Sequence, residues 1–349
     1  MKYNKLFLMM LSVSFLISCS SDDENSDDQT GSYDNGVFIL NEGSAGSGTV
    51  SFAGNDLITF TKDVYTTVNG SDILGKYAQN IFFNGDRAYI ISGGSNVINV
   101  VNRHTFKLIA KIETDLARPR YGVVKDGKAY VTNANTYSYE NAETGNTDDY
   151  IAVINLSTNK VESKIALNAT ANRIISEDGK LYITEPYNND KLLVVNIANK
   201  ALETPITIGS SADTMEEEDG ILYILRSPYG DRSEIVKVKL SDKTTSTITF
   251  PESLDGAGYL DIYNDQIYYT VSNSVYSINT TATSASTTPI VTASSIANLY
   301  GFAVNNNRIY IADSGDYKAD SKAYIYGLSG TLQKELTVGV GPNGFYFND

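Results

Sequence analysis

The sequence predicts an all-β protein, a seven-bladed β-propeller closed by pairing of its N- and C-terminal strands. Three observations predict it. A hairpin motif recurs six times at the step of one four-stranded blade, and the two chain ends hold the halves of a seventh copy. No helical periodicity appears after the first eighteen residues.

The N-terminus stands apart from that fold. Lys2 and Lys5 precede an apolar run over residues 6–17, too short to cross ~30 Å of hydrocarbon as a helix, so it reads as a signal-peptide core. Leu16-Ile17-Ser18-Cys19 resembles a bacterial lipobox, and Cys19, the only cysteine, is the expected lipidation site. An ordinary signal peptide with an incidental cysteine is the alternative. With that thiol acylated, none remains for disulfides, metal binding or nucleophilic chemistry. Residues 20–35 offer almost nothing to bury and are expected to form a disordered acidic tether. Their opening, Ser20-Ser21-Asp22-Asp23-Glu24-Asn25, resembles the acidic export signal of surface lipoproteins of Bacteroidota. A solubilising charge run facing the periplasm is the other reading. The expected organisation is a lipoprotein signal peptide over 1–18, a tether over 19–35 from lipidated Cys19, and a propeller over 36–349.

Charge narrows the partners. The chain carries 27 Lys and Arg against 41 Asp and Glu, and loss of the signal peptide leaves a net charge near −16. Nucleic acid and anionic headgroups both reward basic surfaces, so neither is expected as a partner. The membrane would be reached through the lipid alone.

Each copy of the repeat is an apolar run, a turn of Asn, Asp or Gly, and a second run carrying Tyr. Val123-Val124-Lys125-Asp126-Gly127-Lys128-Ala129-Tyr130-Val131 is typical, and such turns between β-prone runs signal a hairpin. The repeated tyrosines fall at 89, 130, 182, 223, 268 and 310, in steps of 41, 52, 41, 45 and 42. Runs such as Leu192-Leu193-Val194-Val195 and Val161-Glu162-Ser163-Lys164-Ile165 supply third and fourth strands. The split copy pairs Phe345-Tyr346-Phe347 at the C-terminus with Val37-Phe38-Ile39-Leu40 near the N-terminus, which closes the ring and leaves no open sheet edge. The spacing and the Asp/Asn-Gly-x-x-Tyr motif resemble the YVTN family of propellers. A WD-repeat propeller is disfavoured because the chain has no tryptophan.

Catalytic chemistry is tested by subtraction. His104 is the only histidine and sits in a predicted turn, so triads, Cys-His pairs and His-rich zinc or copper sites lack their residues. Carboxylate chemistry stays open, since a glycosidase needs only two suitably spaced acids. The acids between Asp313 and Asp320 suggest a solvated loop or a calcium loop without the EF-hand pattern. Glu216 and Asp261 occupy matching inner-strand positions where other copies are apolar, and read as polar channel lining or part of a buried ion pair. No catalytic residue, cofactor or metal ligand is assigned.

Binding chemistry concentrates on one rim, which the loops into each inner strand share with the loops leaving each second strand. The candidate ligand contacts there are Gln79, Asn80, Arg120, Tyr121, Asn133, Arg173, Glu185, Tyr187, Arg226, Tyr229, Tyr259, Tyr300 and Asn343. The long loop over 133–150 adds Tyr137 and Tyr139. Tyrosine offers rigid area with a polar tip, and arginine stacks and donates in pairs, which suits recognition. The alternative is that these are ordinary polar loops.

The string Gly36-Val37-Phe38-Ile39-Leu40-Asn41-Glu42-Gly43, and Arg118-Pro119-Arg120-Tyr121 before an inner strand, resemble the surface lipoprotein propellers of Bacteroidota, which include the BtuG-type cobalamin-capture proteins. The resemblance implies an outer-membrane lipoprotein facing the cell exterior. It would bind a small-molecule nutrient, with cobalamin or another corrinoid favoured, for a TonB-dependent transporter. The alternatives are a glycan- or protein-binding adhesion propeller and, behind it, a carboxylate-dependent hydrolase or lyase.

Overall fold

The computed structural model describes residues 31–349, apart from Ala45, 136–147 and 188–189. Seven antiparallel sheets form the blades of a β-propeller. Blade 3 shows the pattern, with strands Pro119–Lys125, Lys128–Asn133, Tyr150–Asn155 and Lys160–Ala166 running from the axis outward. In blade 4 the outermost position is shared by two short strands, Ala201–Leu202 and Ile206–Thr207. Among the described residues one short α-helix, Val64–Asn69, joins blade 1 to blade 2 and is capped by the Asp63 carboxylate on Thr66 N–H. Six residues make less than two turns, which is too short to show as a helical period in the sequence.

The hairpin turns are tight because their residues adopt positive φ. Asp126-Gly127, Asp178-Gly179, Asp219-Gly220, Asn264-Asp265 and Asn306-Asn307 hold both positions there, as type I′ turns require. Asn and Asp tolerate this region where glycine is absent.

The tyrosines of the repeat are core residues. Tyr89, Tyr130, Tyr182, Tyr223, Tyr268 and Tyr310 are all buried. The core is a set of layers between neighbouring blades, not one central mass. Tyr89, Ile91 and Val100 of blade 2, for example, pack on Ala129, Val131 and Ile154 of blade 3.

Blade 1 closes the ring. Its innermost strand is the C-terminal Pro342–Asn348, paired antiparallel with Gly36–Asn41 so that Phe38 stands opposite Tyr346. Residues 31–35, the end of the predicted tether, already belong to the ring. Tyr33 is buried against Phe38, Phe52 and Phe106, and its carbonyl accepts from Asn348 Nδ2 at 2.6 Å. His104 lies in the turn that was expected, and its Nδ1 meets Asp34 Oδ1 at 2.5 Å. The signal peptide, Cys19 and the acidic string at 20–25 lie outside the described residues.

Candidate functional site

The inner strands begin irregularly, and that irregularity builds the site. The ladder between first and second strands shifts register at Ala78/Asn80, Pro119/Gly122, Ala212/Met215, Ala257/Leu260 and Leu299/Gly301. Blade 1 shifts likewise between Leu40 and Asn41. In a regular strand, successive side chains point to opposite faces. A β-bulge re-aims them. Arg120 and Tyr121 therefore line the same cavity although they are neighbours in the chain, and Asn172 and Arg173 reach it from the segment just before the regular inner strand of blade 4.

That cavity is a bowl of about 800 Å³ on one rim. Nine of the predicted contacts line it: Gln79, Arg120, Tyr121, Arg173, Glu185, Tyr187, Tyr259, Tyr300 and Asn343. Asn80 lies in a narrower channel below. Asn133, Arg226 and Tyr229 are not brought to the wall. Tyr229 is fully exposed on a loop of blade 5.

Asn133 and Arg226 share a structural task. Both stand three residues after the repeat tyrosine, as do Glu185 and Asp313. Asn133 Oδ1 accepts from Ala117 N–H at 2.9 Å. Arg226 Nε donates to the Ser210 carbonyl at 3.1 Å and also pairs with Glu234. Glu185 Oε2 accepts from Thr170 Oγ1 at 2.8 Å, and Asp313 accepts from the N–H groups of Ala297 and Asn298 at 3.1 and 2.9 Å. Each clasps the loop entering its own blade. In the Asp313 to Asp320 segment the other acids are also occupied: Asp316 accepts from Lys318 and Ala319 N–H, and Asp320 pairs with Lys62. Tyr137 and Tyr139 lie outside the described residues.

The bowl wall is cross-linked from blade to blade. Arg120 Nε donates to Asn172 Oδ1 at 2.6 Å, and Asn172 Nδ2 donates to Asp213 Oδ1 at 2.9 Å. Arg173 Nε reaches the same Asp213 oxygen at 3.1 Å, while its guanidinium lies 4.7 Å from the Tyr121 ring centre. Gln79 Nε2 donates to the Tyr121 hydroxyl at 2.9 Å. A planar cation stacked on an aromatic face and held by a carboxylate is set in place before any ligand arrives.

Three acids that were not among the candidate contacts also line the bowl: Glu42, Asp149 and Asp213. Glu42 accepts from the Tyr300 hydroxyl at 2.5 Å; burial raises its pKa, against the pull of that hydrogen bond and of Arg120. Asp149 is buried, and burial pushes its carboxyl up to about 7 although Ala171 and Asn135 N–H donate to it at 2.8 and 3.0 Å. Nothing in the sequence separates Asp149 from the other acids around it.

The bowl narrows into a channel of about 220 Å³, and Gln79, Tyr121, Arg173, Tyr259 and Asn343 line both. Glu216 and Asp261 line the channel, as expected of polar lining there. They are two acids side by side and not an ion pair. Burial raises both pKa values, the charge of Asp261 raises Glu216 further, and Arg173 opposes it.

The chain is a seven-bladed β-propeller with a polar, aromatic bowl on one rim. Residues 35–258 match the family described as a domain of unknown function, DUF5074, and the chain belongs to that family. No curated protein matches it. Several solved propellers are similar in fold. A quinoprotein alcohol dehydrogenase-like protein from Bacteroides thetaiotaomicron is 18% identical, with a TM-score of 0.70 over 91% of this chain and 79% of that one. A candidate 6-phosphogluconolactonase from Bacteroides uniformis is 12% identical, with a TM-score of 0.65 over 90% and 99%. A functionally unknown protein from Desulfotomaculum acetoxidans is 12% identical, with a TM-score of 0.66 over 90% and 100%. At these identities the likeness concerns the fold alone, since propellers host unrelated activities.

Proposed function

We propose that this chain is a cell-surface binding protein that captures a nutrient in the rim bowl, a corrinoid first among candidates, and passes it to a TonB-dependent transporter. The observation that carries the reading is the Arg173 guanidinium fixed between Tyr121 and Asp213 in the wall of an 800 Å³ bowl. A preformed cation–aromatic wall favours a large, partly flat ligand with polar arms. A corrinoid has that form: its flat face would lie on tyrosine rings, while its amides and phosphate would meet Arg, Asn and Gln. The similarity of Gly36 through Gly43 to the surface lipoprotein propellers of Bacteroidota, a group that includes the BtuG-type proteins, supports a surface capture role.

The anchor and location belong to this proposal. Cys19 carries the lipid, and the protein sits at the outer membrane facing outward. The chain enters blade 1 at Gly36, at the end of the inner strands opposite Asn343 in the bowl.

Binding is favoured over carboxylate catalysis for a specific reason. Asp149, whose raised pKa would suit an acid or base, has one oxygen on Asn135 N–H and the other on Ala171 N–H. It serves the loops that shape the bowl. Calorimetry with cyanocobalamin tests the ligand: saturable heat at micromolar protein is expected. Absence of both heat and thermal shift would remove the corrinoid.

A further inference from the structure

The channel beneath the bowl holds charge that the bowl does not account for. Glu216, on the inner strand of blade 5, and Asp261, on that of blade 6, both line it. The arginine on the channel wall, Arg173, is already held by Asp213. Arg173 also favours the Glu216 carboxylate, but one guanidinium among the carboxylates of Asp213, Glu216 and Asp261 leaves net negative charge in a confined space. Such groups must take up a proton or find a cation.

Oxygens on the same wall are left without a partner. Asp261 is fixed by the N–H groups of Ile262 and Val304 at 2.8 and 2.6 Å. Among the described residues no donor reaches Glu216. Thr214 is 5% exposed and lines the channel with Oγ1 unpartnered, and Asn343 Oδ1 is unpartnered as well.

We propose that the channel is a subsite for a primary ammonium group, taken up between Glu216 and Asp261 in exchange for a proton. An alkylammonium brings three N–H donors and no acceptor, which suits two carboxylates beside the unpartnered Thr214 Oγ1. A metal ion matches less well. Among the described residues no group of three His, Cys, Asp or Glu stands together to hold one, and calcium takes six to eight oxygens. The channel's 220 Å³ admits a slender arm and no bulky group. The step balances: R–NH₃⁺ enters, one proton leaves the pair for bulk water, and the channel's net charge is unchanged. The other titratable groups there are the phenols of Tyr121, Tyr259 and Tyr346, and burial raises the last two. The subsite stands independently of what fills the bowl, so a failed corrinoid titration leaves it untouched.

Propylammonium chloride is the probe, added to the unmodified protein between about pH 6 and about pH 9. Its affinity should climb by up to about tenfold per pH unit while the pair still holds its proton. The melting temperature should rise with propylammonium and not with tetramethylammonium, which has the same charge and no N–H. Glu216→Gln should abolish the shift. If that variant fails to fold, proton release from the unmodified protein, read with an indicator dye in weak buffer, still decides. Equal shifts from the two ammonium ions, a larger shift from calcium chloride, or no proton release on adding propylammonium would each overturn the proposal.

Discussion

The Tyr300 hydroxyl donates to Glu42 Oε2 at 2.5 Å, joining blade 7 to blade 1 at the rim across 258 residues of chain. Burial disfavours the Glu42 carboxylate, and this hydrogen bond is the larger of the two effects that restore it. Tyr300 also stands edge-on to Tyr317, with ring centres 5.1 Å apart, so its ring is held in place from the side. Tyr300→Phe keeps that ring and removes only the donor. It should destabilise the protein by about 1 kcal/mol, since Glu42 can still turn toward water in the bowl. Urea midpoints of the two proteins measure it. An unchanged midpoint would mean that solvent already satisfies Glu42.

Closure of the ring makes a larger prediction. Residues 345–349 contribute Phe345, Tyr346 and Phe347 to the strand that pairs with Gly36–Asn41. Removing them opens two sheet edges and uncovers Tyr310, on which Phe345 packs with ring centres 5.5 Å apart. Each buried aromatic is worth ~1.5–3 kcal/mol, against a typical total stability of ~5–15 kcal/mol. The truncated chain should lose its cooperative thermal transition or melt far below the full one. A melting temperature within a few degrees of the full chain would show that the C-terminal strand is dispensable.

Two arginines that look alike in the sequence should part in function. Arg173 lines bowl and channel, whereas Arg226 is clasped to the Ser210 carbonyl and Glu234. Arg173→Ala should weaken ligand binding by ~2 kcal/mol or more, about thirtyfold. Arg226→Ala should leave affinity nearly unchanged and lower stability instead. Calorimetry with cyanocobalamin, paired with thermal melts, separates the two. Equal losses of affinity would place Arg226 in the binding surface after all.

That pair also shows where the sequence was legible. The seven blades could be read because each repeats a turn whose Asp, Asn and Gly are dictated by positive φ, and because the split copy leaves matching halves at the ends. The rim could be read in outline, since topology alone puts one set of loops together. What the repeat does not encode is the bulge at the head of most inner strands, which in blade 3 turns both Arg120 and Tyr121 inward. Nor does it show that the position after the tyrosine by three is a clasp, which takes Asn133 and Arg226 off the wall. Both facts rest on backbone register and hydrogen bonding across loops. Residue type at a single position carries neither.

The acids of bowl and channel predict how stability follows pH. Burial raises Asp149 to about 7, and raises Glu216 and Asp261 as well. For an acid raised in the folded state, the folded protein holds more protons than the unfolded one between the two pKa values. Stability from these groups is therefore full at low pH and is lost as pH climbs from about 4 through their folded values. Asp56, Asp72 and Asp242 run the other way, lowered by hydrogen bonds, with Asp242 near 2. Their contribution is present above the unfolded value and is lost as pH falls toward the folded one. The two windows place the stability maximum near about pH 5, with a decline toward about pH 8. Glu216→Gln removes a raised acid without changing its shape. It should add ~1 kcal/mol at about pH 8, almost nothing at about pH 5, and so flatten the alkaline limb. Melting curves of both proteins across that range test it, and a wild-type melting temperature that rises steadily between those two pH values would show that the channel acids are ionised and stabilised by something in the fold.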